Sequence, residues 1–173
     1  LRSASFVVAH NAAFDRKWVE ARLPDARGLA WCCSMSEIGW RARGFDGRVL
    51  GYLLLQSGFY FCGHRASVDV DALIQLLKDE NCDGQTALAE MIVRAGSPSW
   101  IVRARGADFS MKDALRARGY RWDAVRKLWS CEISGDALDR EQWWLAANVY
   151  AVDANPKALG PDIERVTART RFL

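Results

Sequence analysis

The chain has 173 residues, half of them hydrophobic, and a formal charge of +3, enough for one sizeable domain or a medium domain with a small appendage. No apolar run is long enough to cross a bilayer and the opening "LRSASF" lacks a signal-peptide pattern, so no membrane partner and a cytoplasmic location are expected. Five cysteines, odd in number and without a CxxC pair, argue against a disulfide framework or a structural zinc site and predict buried or half-buried thiols.

In chain order, Phe6 to Ala9 is a short apolar, β-branched run that predicts a covered strand over 5–9, and a helix is expected over 14–23. His10, Asn11 and Asp15 therefore fall where a strand hands over to a helix, the kind of crevice where α/β sheets bind ligands. A strand near 30–34, a short helix over 49–56 and a helix over 68–78 follow, then the "NCDGQ" turn and a helix over 87–94. Alternating strands and helices predict an α/β layer. The "GSPS" stretch marks a boundary. Beyond it "WIVRAR" reads as a strand, "SMKDALRARG" as a short helix capped by its serine and ended by glycine, "YRWDAVRKLWSCEI" as a hairpin, and 137–150 as a helix. The tail "ERVTARTRF" alternates and is expected to add an edge strand. The chain starts at Leu1 close in front of a strand, so a preceding part is expected. The division expected is 1–96 and 97–173.

Charge is uneven along the chain. Residues 1–90 carry ten basic against eleven acidic side chains, and residues 91–173 fourteen against ten. Between Arg94 and Ser130, nine basic and three acidic residues are interleaved with Trp100, Tyr120, Trp122 and Trp129, a mixture suited to phosphates and bases. Most of those tryptophans are expected in a core, with solvated arginines around them.

In "GHRASVDVDALIQLL", a helix beginning near Val68 puts Asp69 on one stripe with Leu73, Leu76 and Leu77. Asp15 shares its face with Trp18 and Val19. A carboxylate on an apolar face needs a cation, a donor or a metal. Each aspartate alone reads as a helix N-terminal charge, but two of them, each near a histidine, suit a hard-metal site with a base beside it. A zinc site from His10, His64 and cysteines lacks the ligand spacing.

"AHNAAFD" and "HRASVD" resemble the second and third motifs of the DEDDh exonucleases, the ribonuclease H-like family that includes the proofreading epsilon subunit of bacterial DNA polymerase III. The resemblance spans residues 5–77. It implies an α/β ribonuclease H-like exonuclease core, here without its N-terminal strands, in which Asp15 and Asp69 bind two Mg2+ or Mn2+ ions. His64 would be the base that deprotonates the attacking water, and Asn11 and Phe14 would contact the 3′-terminal nucleotide. His10 is assigned to the strand-end turn. The family's first motif, D-x-E on a strand ahead of "AHN", is absent from the chain, so the metal site it implies is incomplete.

"SMKDALRARGYRWDAVRKLWSCEI" is similar to a small helix and hairpin unit, with a "GxxWD…KxW" core, attached to some nucleic-acid enzymes and epsilon-like exonucleases. It implies a small α+β C-terminal appendage, with Trp122 and Trp129 packed under the turn and Arg126 and Lys127 projecting towards phosphates. A stabilising lid on the core is the competing reading. The expected function is metal-dependent 3′ to 5′ digestion of nucleic acid, single-stranded DNA ahead of RNA, releasing nucleoside monophosphates. The alternative is a nucleic-acid-binding or polymerase-associated module without catalysis. Partners beyond the nucleic acid 3′ end would be a polymerase or a second copy.

Overall fold

The computed structural model describes residues 4–60, 62–63, 65–151 and 160–173. The chain divides into two compact units, Leu1–Gly96 with Thr167–Leu173, and Ser97–Val166. Among the described residues these hold six α-helices and two sheets, a mixed α/β protein. No described helix is long and apolar enough to cross a membrane.

The first unit is built on two parallel strands, β1 (Val7–Ala9) and β2 (Trp31–Cys33), paired Val7 to Trp31 and Ala9 to Cys33. Side chains alternate between the faces of a strand, and each face of this small sheet has its own core. Val7, Ala9, Trp31 and Cys33 pack on the side of α1 (Ala12–Arg22), with Val19 and Phe172. Val8 and Cys32 point the other way. There they meet a larger cluster that includes Leu53 of α2 (Leu50–Gln56), Leu76 of α3 (Ala66–Leu77) and Met91 of α4 (Ala87–Gly96).

The two strand edges differ. The outer edge of β2 is closed: the Trp31 N–H donates to the Ala168 carbonyl at 2.8 Å, and the Cys33 N–H to the Glu37 carboxylate at 2.7 Å. Residues Thr167–Leu173 are anchored by buried charge as well. Arg16, 1 % exposed, donates to the Arg169 carbonyl at 2.7 Å, and Arg171 pairs with Glu37. The free edge of β1 has no strand beside it among the described residues.

A buried guanidinium also joins distant loops. Arg43 pairs with Glu90 at 2.8 Å and donates to the carbonyls of Asp79 and Gln85, both at 3.1 Å. Burial pushes the Glu90 carboxyl up, but the Gly39 N–H, Arg43 and Arg94 outweigh it, and the group sits below its ordinary range.

The second unit is an antiparallel sheet of order β4-β5-β3-β6, from β3 (Ser99–Ala104), β4 (Arg121–Asp123), β5 (Leu128–Ser134) and β6 (Asp162–Val166). Helices α5 (Lys112–Ala117) and α6 (Leu138–Asn148) supply Leu115 and Leu145 to a core with Val102, Ala104 and Tyr120. Glycine ends α5 as expected: Gly119 has φ 96°, the Tyr120 N–H reaches the Leu115 carbonyl and the Gly119 N–H that of Arg116. This is the closing pattern of a helix with a left-handed residue just past its end. The tail does form an edge strand, β6, but it stops at Val166 and the residues after it belong to the first unit.

Candidate functional site

The turn between β1 and α1 is made by Asn11, held at φ 77°. A left-handed backbone is uncommon outside glycine but tolerated by asparagine. It swings the chain into α1 at Ala12, so Asp15 enters the first turn of that helix. Asp69 occupies the first turn of α3. The two helices cover opposite faces of the sheet, yet both carboxylates line one cleft of about 460 Å³. Its lining includes Val7, Val8 and Ala9 of β1, Val19 of α1, and Ala66, Val70 and Leu73 of α3. Residues from both faces of β1 contribute, so the cleft runs along the free edge of that strand.

His10 sits at the same place. A carbonyl can only accept, so its Nε2 donates to the Arg48 carbonyl, 2.9 Å away, and Nδ1 lies 2.8 Å from the Ser34 hydroxyl. Both bonds can form with a neutral ring, with Ser34 donating to Nδ1. The histidine thus ties the end of β1 to the residue after β2 and to the loop ahead of α2, the structural role expected of it. Burial pushes its pKa below the ordinary value, against the Arg48 carbonyl and Asp15. Burial raises the Asp15 carboxyl, opposed by His10. Trp31 lines the cleft too, and its buried indole N–H has no partner among the described residues.

The other expected site residues fall as follows. Asn11 is exposed, and its side chain makes no capping bond. Phe14 is 59 % exposed, with its ring 6.4 Å from that of Trp18, itself 61 % exposed. His64 lies outside the described residues. Arg126 and Lys127 belong to the second unit, in the loop joining β4 to β5. Two carboxylates are hard oxygen donors of the kind magnesium and manganese prefer. Among the described residues, however, no three His, Cys, Asp or Glu side chains are grouped to hold an ion.

Three local expectations are corrected. Trp122 is not packed under the hairpin turn; it is 52 % exposed, edge-on to its cross-strand partner Trp129 with centroids 5.6 Å apart. Cys62 and Cys82 are exposed thiols, whereas Cys32, Cys33 and Cys131 are buried or half-buried. The first turn ahead of α5 is capped by Asp108, whose carboxylate accepts from the Ser110 N–H at 2.9 Å, so Ser110 is not the cap. No protein-family model, curated protein or solved structure matches the chain.

Proposed function

We propose that the cleft along β1 is part of the active site of a metal-dependent 3′ to 5′ exonuclease of ribonuclease H-like type, acting on single-stranded DNA in preference to RNA. One observation carries the reading: two carboxylates from helices on opposite faces of the sheet line a single cleft at a strand edge that has no strand beside it among the described residues. A strand laid along that edge with a D-x-E pattern would direct both of its carboxylates to one side, because residues two apart share a face. The reading requires such a strand, since Asp15 and Asp69 supply two ligands and a cage needs more. When bound, Mg2+ or Mn2+ ions would activate a water and stabilise the leaving oxygen. His64 is assigned the proton from that water, and Asn11 and Phe14 the terminal nucleotide, whose base the exposed Phe14 ring is free to stack on.

A second reading, a nucleic-acid-binding or polymerase-associated module without catalysis, is favoured by the lack of a third grouped ligand among the described residues. One experiment separates the two. A chain extended upstream through a D-x-E strand should digest labelled single strands from the 3′ end in magnesium or manganese, and Asp69→Asn in that chain should abolish the activity. The 173-residue chain alone should show little. Digestion by the short chain that survives Asp69→Asn would put the active site elsewhere; an extended chain that binds but never digests would leave the module reading.

A further inference from the structure

The second unit carries a surface on which exposed aromatic rings and cations alternate. Trp122 of β4 pairs across the strands with Trp129 of β5. The Arg116 guanidinium of α5 stands 6.0 Å from the Trp129 ring centre, and one turn earlier Lys112 places its ammonium 4.6 Å over Phe109, which is 77 % exposed. Residues four apart share a helix face, so Lys112 and Arg116 form one stripe leading to the tryptophan pair. At the end of the same hairpin, the Asp123 carboxylate accepts from the N–H groups of Val125 and Arg126, both at 2.9 Å, and holds the loop that presents Arg126 and Lys127 to solvent. The acidic neighbours do not cancel these cations. Asp113 and Arg116 meet only at 3.8 Å and Asp123 and Arg126 at 4.0 Å, mostly at the surface, where such pairs contribute little.

Trp122 leaves about half of its surface in water, 52 % exposed, where its ring face is accessible. Its cross-strand neighbour Trp129 has the Arg116 guanidinium nearby, and Arg116 is held only by a long, exposed pair with Asp113, whereas Arg118 is paired with Glu141 and stacked on Trp144 and Arg103 is paired with Asp162 and Glu164. We infer that this face is a stacking platform for single-stranded nucleic acid, in which Trp122 takes an unpaired base on its ring and Arg116, Arg126 and Lys127 take the flanking phosphates. A duplex hides its base faces and offers only phosphates, so the platform discriminates in favour of single strands. The inference rests on the exonuclease reading for the nature of its ligand and extends it by naming what the second unit holds.

The test uses the full chain with EDTA present, so that no digestion is needed, and follows the anisotropy of a labelled oligothymidylate and of a labelled duplex. The single strand should bind more tightly. Trp122→Ala should weaken it about tenfold or more with the salt slope unchanged, and Trp122→Phe should keep most of the affinity. Arg126→Ala with Lys127→Ala should weaken it as well and make the slope of log affinity against log salt shallower by roughly 1.4, the share of two phosphates. Thermal melts matching the parent would exclude misfolding. Wild-type affinity in Trp122→Ala, equal binding of duplex, or binding of polyglutamate but of neither nucleic acid would each overturn the platform. Because no cleavage enters the readout, an inactive extended enzyme would leave this result standing, and a failed platform would leave the active-site reading standing.

Discussion

At the scale of single residues, His10 couples the site to pH. Its folded-state pKa lies below the ordinary 6.5 because burial outweighs the Arg48 carbonyl and Asp15, so the unfolded chain takes up the proton first. This contribution to stability is complete above pH 6.5, declines as pH falls through 6.5 towards the folded value, and is level below it. Asp15 runs the other way at lower pH: its raised pKa means that stability is lost as pH rises from 3.8 through the folded value. Urea unfolding between about pH 7.5 and 5.5 should therefore show a loss in the parent that His10→Gln flattens; parallel profiles would refute the assignment. A second residue-scale test concerns Glu141, which is 7 % exposed and accepts from Arg118 at 2.9 Å and from the Tyr120 hydroxyl at 3.0 Å. Burial, with Glu141 alongside, raises the Tyr120 pKa well above its ordinary value. Glu141→Ala should cost about 2–3 kcal/mol in denaturant unfolding, less than a fully buried pair because Arg118 keeps some contact with water.

At the scale of elements, the edge of β1 makes a sharp prediction. The Val7 N–H donates to the Ala30 carbonyl at 2.8 Å and the Ala9 carbonyl accepts from Ser34 at 3.0 Å, so the Val8 N–H is directed to the free edge. Proline at position 8 should be tolerated better than at position 7, by about 1–3 kcal/mol in thermal unfolding, since only Val7→Pro removes the donor to the partly buried Ala30 carbonyl. In a chain extended by the proposed strand the difference should narrow, because the Val8 N–H would then have a partner to lose as well. The elements themselves were largely legible, because strands such as residues 99–104 and helices such as 66–77 carry their apolar period locally. Boundaries were less so. The start of α1 depends on Asn11 adopting a left-handed backbone, and the cap ahead of α5 went to Asp108 rather than Ser110 because either short polar side chain can do it. Asp15 and Asp69 were recognisable from their helix stripes, whereas the cleft they share depends on a strand edge that no local pattern specifies. The exposure of Trp122 was hidden for the same reason: a cross-strand neighbour and a sheet edge decide it.

At the scale of the whole molecule, the second unit is an insertion into the chain of the first. Its first and last strands lie side by side, with Ser99 opposite Val166, a separation of roughly 5 Å. A linker of about four glycines and serines, reaching about 13 Å, should therefore replace residues 98–166 and leave the first unit with a cooperative melt and the buried Trp31 and Trp40 fluorescence. A molten product would show that the first unit depends on the second. The pairing of Arg16 with the Arg169 carbonyl, which spans 153 positions, is invisible to any local reading of the sequence. It also imposes an order on biosynthesis. While a ribosome makes the seventy residues Ser97–Val166, at roughly 5–20 residues per second, the outer edge of β2 waits some 4–14 s without the segment that closes it. The β2 edge of a nascent chain is thus open to mispairing in that interval, and a chaperone that recognises this edge would act there, before Thr167–Leu173 close it.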